Sequence, residues 1–163
     1  LIPENELTKG AGIALSQKTR GAEVSQTRET SAEGIFACGN VLQVHDLVDF
    51  VSEEAEIAGR NAAEYALGGS ARGERISVTN GANVSYVCPQ YLDKGAEGNV
   101  KLFFRVTGTF KNCTIKAKCG DRVLVRKKKK IAVPGEMENL LLPQEKFGEI
   151  NGEISVSLEV END

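Results

Sequence analysis

No run of apolar residues in this chain approaches the roughly 18 that a membrane-spanning helix needs. The N-terminal region also lacks the basic segment and the apolar core of a signal peptide. We therefore predict no membrane span, and the cytoplasm is the expected location. The sequence starts at Leu1 instead of Met, which we interpret as the start of a processed or cut piece.

Cysteine pairs with redox or metal-binding spacing are absent too. The four cysteines form no C-x-x-C pair, so they give little support to a disulfide framework; they are Cys38, Cys88, Cys113 and Cys119. We predict no metal site. The net charge of −3 leaves no general basic field, and we predict no nucleic-acid partner.

A complete nucleotide-binding fingerprint is also missing. The segment Gly10-Ala11-Gly12 is not continued by a third glycine at the required place and opens no helix, so it does not satisfy G-x-G-x-x-G. Hydrophobic residues still make up 40% of the 163 residues, which is enough for a sizeable core.

The residues that are present divide the chain into two predicted domains, 1–70 and 74–163. The first alternates short β-like runs with one helix, and the second shows one strand pattern after another. The seam between them, Gly68 to Gly73, contains three glycines, which we predict to end and cap the helix and to loosen the link.

In the first domain we predict a hairpin, a strand and a helix. Gly12–Ser16 and Ala22–Thr27 flank a turn and form the hairpin, and Ile35–Cys38 is a short buried strand. The helix begins near Asp46 or Asp49. Its predicted packing face is nearly all alanine: Val51, Ala55, Ala58, Ala62 and Ala66. Three acidic residues in its first turns, Glu53, Glu54 and Glu56, complement the helix dipole.

The second domain is predicted to be a two-sheet antiparallel sandwich of immunoglobulin-like type, with about seven short strands. In the last strand Ile154, Val156, Leu158 and Val160 face inward and Ser155, Ser157, Glu159 and Glu161 face water. In 113–119 the odd-numbered residues face inward, whereas Thr114, Lys116 and Lys118 face water. The other predicted strands are Arg75–Thr79, Val84–Cys88, Val100–Thr107, Arg122–Arg126 and Lys130–Val133.

The basic run Arg126 to Lys130 has two interpretations. Adjacent cations suit a polyanion, but no aromatic residues are interleaved with them and a strand would divide them between two faces. A solvated hairpin or a charged edge protected from aggregation is the preferred interpretation. Pro134 to Glu138 is predicted to be a turn.

The segment Gly34-Ile35-Phe36-Ala37-Cys38-Gly39-Asn40-Val41, with the helix that follows, carries the functional signal. A strand that stops at a Gly-Asn turn before a small-residue helix can present N–H groups to an anion or an electron-rich ring. In motif and order, residues 1–70 resemble the C-terminal third of the FAD domain of thioredoxin-reductase-like pyridine nucleotide–disulfide oxidoreductases. The sequence from Ala37 to Phe50 is similar to sequences of the family branch that is found beside anaerobic glycerol-3-phosphate, amino-acid or opine dehydrogenases.

The resemblance implies an FAD/NAD(P)-binding domain fragment of α+β class, followed by the sandwich. It places Gly39, Asn40 and Val41 against the pyrophosphate and ribityl chain of FAD. It also places the helix start, Asp49, Phe50 and Val51, at the pyrimidine edge of the flavin. A helix N-terminus there meets the negative charge of the reduced ring. Asn40 departs from the Asp of most relatives, which weakens the expected grip on FAD.

By the same resemblance, both nucleotide fingerprints and the NAD(P)H site lie outside this chain. The parent would pass electrons between NAD(P)H, FAD and a partner dehydrogenase, and this fragment alone would be inactive and unable to hold FAD. His45 and Cys38 are expected to be structural, so we predict no catalytic residue. The alternative is a non-catalytic sandwich module that docks a partner subunit. The expected partner is a dehydrogenase subunit, or the chain forms a homo-oligomer.

Overall fold

A computed structural model describes residues 2–69 and 73–160, and the chain forms two compact units. The first unit comprises Leu1–Arg75 with Cys88–Asp93, and the second comprises Ile76–Val87 with Lys94–Asp163. The short segment Cys88–Asp93 thus belongs to the first unit, although sequence patterns place it among the strands of the second. The fold class is α+β, with most regular structure in strands.

The first unit is built mainly of turns around a small apolar core. Its buried apolar residues are Ile13, Ala22, Val24, Leu42 and Cys88. The predicted hairpin is present in reduced form, because Leu15 and Ala22 make a single antiparallel bridge. Gly21 comes so close to the next segment that a Cβ there would lie 2.0 Å from the Leu42 carbonyl oxygen. Glycine is therefore required where the hairpin turn meets the core.

The predicted buried strand Ile35–Cys38 is wrong. Only Phe36 forms a bridge, to Glu29, and the Ile35 side chain is 40% exposed. One backbone hydrogen bond lies on each side of this bridge, from Thr30 N–H to Ile35 O and from Ala37 N–H to Arg28 O, and the apolar run then leads in extended form into the Gly39 turn.

Helix α2, Val48–Ala66, follows a one-turn helix α1, Glu6–Gly10. The predicted glycine cap of α2 is confirmed: Gly68 has φ +82, its N–H donates to Tyr65 O, and the N–H of Gly69 donates to Glu64 O. This is the paired bonding of a Schellman motif. The rest of the seam, 70–72, lies outside the described residues.

The predicted alanine face of α2 is only partly correct. Ala58 is buried, but Ala55 and Ala66 are exposed. Glu54, one of the three acidic residues predicted to complement the helix dipole, is fully buried. The buried face of α2 therefore contains Glu54 and Ala58, with the half-buried Val51 beside them, and it includes a charge.

The strand segment Cys88–Asp93 is fastened to the first unit by polar contacts. The N–H of Val24 donates to Gln90 Oε1 at 3.0 Å, and the Tyr91 hydroxyl donates to Glu23 Oε2 at 2.9 Å. Arg75 lies over the Tyr91 ring, 5.4 Å from its centroid. These contacts join the segment to the first unit.

The second unit contains two sheets in a sandwich-like arrangement. One has the order β1-β8-β5-β6 and the other the order β2-β4-β7. Among the described residues the strands of the chain are β1 Arg75–Asn80, β2 Val84–Cys88, β3 Tyr91–Asp93, β4 Val100–Val106, β5 Phe110–Cys119, β6 Arg122–Ala132, β7 Glu138–Leu142 and β8 Ile154–Val160.

The expected inward faces are largely present. Cys113, Ile115, Ala117 and Cys119 of β5 and Ile154, Val156 and Leu158 of β8 are all buried. Three expectations fail: Val160 is 46% exposed, Thr114 is 6% exposed instead of facing water, and β1 pairs with β8 in parallel. Glu161 lies outside the described residues. Because of the parallel pair, the sheet is mixed and not wholly antiparallel.

Two sequence-based strand assignments also need correction. Arg122–Arg126 and Lys130–Val133 are not separate, because β6 runs without interruption through the lysines between them. Glu138, assigned to a turn, begins β7, whose Leu140 and Leu142 side chains are buried. The basic run therefore lies in the second strand of the β5–β6 hairpin, at the end of the strand order, which agrees with the preferred interpretation of a solvated hairpin or charged edge.

Candidate functional site

The Gly-Asn turn forms a single turn of 3-10 helix, Gly39–Val41, in the first unit. Gly39 has φ +73, which side-chain-bearing residues adopt only with strain. A Cβ at Gly39 would also lie 3.2 Å from the Cγ1 atom of Val51, one turn into α2. The turn and the helix start are therefore in close contact, and a side chain at position 39 would be strained by its φ and crowded by Val51.

The N-terminus of α2 has no side-chain cap. Leu47 occupies the N-cap position with extended dihedrals, and its apolar side chain cannot accept a hydrogen bond from the first-turn N–H groups. Both Leu47 and Val48 expose large parts of their side chains, 54% and 74%. The helix start thus has exposed apolar surface, and its N-cap residue makes no side-chain hydrogen bond.

The six residues predicted to bind cofactor lie in these two segments. Gly39 is buried, Asn40 is exposed and Val41 is half-buried. On the helix, Asp49 is exposed, whereas Phe50 and Val51 are half-buried. The structure brings Gly39 and Val51 into contact, as described above.

Asn40 closes the loop between the turn and the helix. Its Oδ1 atom accepts a hydrogen bond from the His45 N–H at 3.1 Å. One face of the Asn40 amide is thereby used within the protein, a role that an aspartate could also perform. The loop that carries His45 is consequently folded back towards α2.

Beneath the turn lies a buried carboxylate. Glu54 Oε2 accepts hydrogen bonds from the Gly39 N–H at 2.9 Å and from His45 Nε2 at 3.0 Å. Glu54 Oε1 accepts one from Gln43 Nε2 at 3.4 Å and lies 3.4 Å from Arg28 Nη2. Three hydrogen-bond donors and one guanidinium charge, from four chain positions, therefore converge on one side chain.

The charge state of Glu54 follows from these contacts. Burial by itself raises the pKa of a carboxyl group, but the hydrogen bond from His45, the Arg28 charge and the Gly39 N–H together hold the pKa of Glu54 below its usual value. An ionised carboxylate only accepts hydrogen bonds, so His45 Nε2 carries the proton of the bond between them.

Arg28 reaches the cluster from a strained turn. Its φ is +68, and its N–H donates to Ser25 O at 2.9 Å. Its side chain is almost fully buried beside Glu54. An arginine rarely adopts this left-handed conformation, which shows that the surrounding structure imposes it.

Two cysteines lie within the field of the same charges. Burial and the Glu54 charge raise the pKa of the half-buried Cys38 thiol. Burial raises the pKa of Cys88 to about 12. Both thiols are therefore kept in the neutral, poorly nucleophilic form.

The role of Glu54 was missed by the sequence interpretation, which assigned all the early helix acids to the dipole. The spacing contained a signal: positions 51, 54 and 58 lie on one helical face, and two of the three residues are apolar. Arg28 and Gln43 had no comparable signal, because they lie in turns without periodicity.

Residues 2–69 and 73–160 contain no helix long and apolar enough to cross a membrane. The same residues hold no group of three or more His, Cys, Asp or Glu side chains arranged to bind a metal ion. No protein-family model, curated protein or solved structure matches the chain, so the comparisons identify no FAD- or NAD-binding domain.

Proposed function

We propose that residues 1–70 are the C-terminal portion of an FAD-binding domain. The parent would be a flavin-dependent oxidoreductase that moves electrons between NAD(P)H, FAD and a partner dehydrogenase. One observation carries this proposal: the Gly39–Val41 turn is held directly against the first turns of α2, with Gly39 at φ +73. A flavin half-site of this kind needs a side-chain-free turn beside a helix N-terminus.

The residues present fit the ribityl and pyrimidine part of FAD. The start of the 19-residue helix α2 offers the positive end of the helix dipole. The exposed Leu47 and Val48 side chains offer apolar surface for a flat ring. The Gly39 N–H is not among the donors for a ligand, because Glu54 accepts it.

Bound FAD would supply the two-electron chemistry, and NAD(P)H would bind outside this chain. The Gly39–Val41 turn and the start of α2 would hold the ribityl chain and the pyrimidine edge of the flavin. An adenine-dinucleotide half, with its glycine fingerprint, has to come from residues other than these 163. The chain alone is accordingly expected to be inactive.

Expression of the whole coding region beside the 163-residue chain tests the proposal. We expect the longer protein to show visible flavin absorption and to release FAD on denaturation, and the 163-residue chain to be colourless. A colourless longer protein, or a coding region without two glycine fingerprints, would contradict the flavin assignment. Visible flavin absorption in the shorter chain would contradict the half-site.

A second candidate function is docking of a partner subunit by the sandwich. The register places Lys116 opposite Arg126, and Thr114 opposite Lys128, on one face of the β5–β6 pair. Lys116 and Lys118 share one carboxylate, Glu159, on the same face. Opposed cations are unfavourable in a sheet, so this cationic face suits an acidic partner surface, here that of the partner dehydrogenase.

Charge reversal tests this second candidate. Arg126→Glu with Lys128→Glu should abolish salt-sensitive co-purification of the dehydrogenase subunit with the full chain. The control, Lys111→Glu, changes an exposed lysine on the other side of β5. Equal retention of the partner by the two variants would rule out the cationic face.

A further inference from the structure

The buried carboxylate of Glu54 links α2 to the Gly39–Val41 turn, the two segments of the proposed flavin half-site. It projects from α2, yet it accepts the N–H of Gly39, the first residue of the opposing turn. It is 0% exposed, so water does not compete for its oxygens. The same carboxylate accepts from His45, whose own N–H is bonded to Asn40 Oδ1. Both ends of the segment from Gly39 to His45 are thereby fixed to the helix.

We propose that Glu54 is a positioning residue that sets the flavin-facing Gly39–Val41 turn against α2, and that its negative charge is required for this. The inference rests on the proposed function, since the turn is taken to face FAD. Glu54 itself lies beneath the turn and is assigned no contact with the cofactor.

The need for charge, and not only for shape, follows from the donors. The Gly39 N–H, Gln43 Nε2 and His45 Nε2 donate hydrogen bonds to the two carboxylate oxygens, and the Arg28 guanidinium forms an ion pair with one of them. Glutamine at position 54 would keep one accepting oxygen and turn an NH2 group towards other donors. Such an arrangement leaves buried donors unsatisfied, which is the costly outcome for buried polar groups.

Arg28 does not replace Glu54 in this role. Its guanidinium has no acceptor oxygen, so it cannot bind the Gly39 N–H. The main-chain bond within the turn, from Leu42 N–H to Gly39 O at 3.0 Å, fixes the shape of the turn but not its place against α2. Glu54 is the described side chain that joins Gly39 to α2 by a hydrogen bond.

Amide hydrogen exchange in the full 163-residue chain tests the positioning role without any flavin. Glu54→Gln should speed exchange at Gly39 about tenfold or more, as when a hydrogen bond to a charged acceptor is weakened. Exchange at Ala62, later in α2, should change less than about twofold. The matched control is Glu56→Gln, an exposed acid on the same helix, which should leave Gly39 unchanged. Unchanged protection of Gly39 in Glu54→Gln would overturn the proposal.

If Glu54→Gln does not fold, the wild-type chain still decides the matter. The amide shift of Gly39 should follow the titration of a single carboxyl group on acidification, because its acceptor loses charge. Arg28, His45, Cys38 and Cys88 are the other titratable groups near Glu54. A Gly39 amide that does not respond before the first unit unfolds would overturn the role of Glu54.

The longer protein separates this inference from the proposed function. If it binds FAD, Glu54→Gln should raise the FAD dissociation constant about tenfold relative to Glu56→Gln. Equal FAD affinity of the two variants would overturn the positioning role and leave the flavin assignment intact. A longer protein that binds no FAD would overturn the flavin assignment, whereas a Gly39 exchange effect in the short chain would still support the Glu54 contact.

Discussion

Glu54 of the first unit and Glu138 of the second are both buried, but their partners differ. Glu54 receives hydrogen bonds or charge from four groups. Two of them, Arg28 and His45, form ion pairs with it, and their side chains are almost fully buried. Glu138 pairs with Lys129, whose side chain is 30% exposed. The buried charge in the second unit is thus an edge contact between β6 and β7, whereas that in the first unit lies at the centre of a network.

The surrounding apolar structure differs in the same direction. The first unit has a small core and a few isolated bridges. The second has long ladders, with Phe103 and Phe104 of β4 and the inward side chains of β5 and β8 almost fully buried. The comparison shows that the second unit depends on apolar packing, and the first depends on polar contacts that also build the candidate site.

The largest expected effect is in the second unit. Phe104→Ala removes a ring that is 0% exposed, and should lower the free energy of unfolding of this unit by about 3–5 kcal/mol. Denaturant unfolding followed by amide signals of β5 and β8 measures it. The control is Phe110→Ala, at a half-buried position, where a much smaller loss is expected. Equal losses would mean that apolar burial does not dominate here.

Removal of Arg28 should have a similar, slightly smaller effect on the first unit. Arg28→Met leaves Glu54 buried with fewer compensating charges, and should destabilise this unit by about 3 kcal/mol. The readout is denaturant unfolding followed by the Leu42 and Ala58 amides. Arg60→Met, at an exposed position of α2, is the control. A loss no greater than that of the control would show that the network is not structural.

Acid should also distinguish the units. The pKa of Glu54 is held low by His45, Arg28 and Gly39 against the effect of burial, so its stabilisation is complete above the unfolded-state pKa. That stabilisation is lost as the pH falls through the lower, folded-state value. The denaturant concentration at the unfolding midpoint of the first unit should therefore fall in acid. The Glu54→Gln variant should show a weaker dependence of this midpoint on pH. Parallel pH curves for the wild-type and variant chains would contradict the assignment.

The smallest of these effects concerns the segment Cys88–Asp93. Tyr91→Phe deletes the hydroxyl that donates to Glu23, and should destabilise the first unit by about 1 kcal/mol because the site is partly exposed. The second unit should be unaffected, although this segment lies between two of its strands in the sequence. Unit-resolved unfolding measures both effects, and a loss confined to the second unit would reverse the assignment of the segment.

Much of the second unit was predictable because inward and outward residues alternate. β2 has the predicted bounds, and the helix α2 was located by its period and its terminal glycines. β7 was missed because Glu138-Asn139-Leu140-Leu141-Leu142 follows a turn signal and alternates poorly. β6 was predicted as two strands because its run of lysines shows no alternation of apolar and polar residues.

The candidate site was predictable in its backbone and not in its interior. The Gly-Asn turn and the helix start have local signals, but Glu54, Arg28, Gln43 and His45 meet only through tertiary folding. Charged residues are rarely fully buried unless they are paired, so a sequence pattern favours the exposed interpretation. A buried acid on the face of Val51 and Ala58 is the one feature that spacing indicated.

The central claim is that Gly39 forms a flavin-facing turn in which a larger residue would be strained. The most direct measurement is the FAD content per chain of the longer protein carrying Gly39→Ala, beside Gly59→Ala as control. Gly59 lies within α2, where an added Cβ meets nothing within 4 Å. We expect Gly39→Ala to lose most of its FAD and Gly59→Ala to retain it. Equal FAD content in the two variants would contradict the claim.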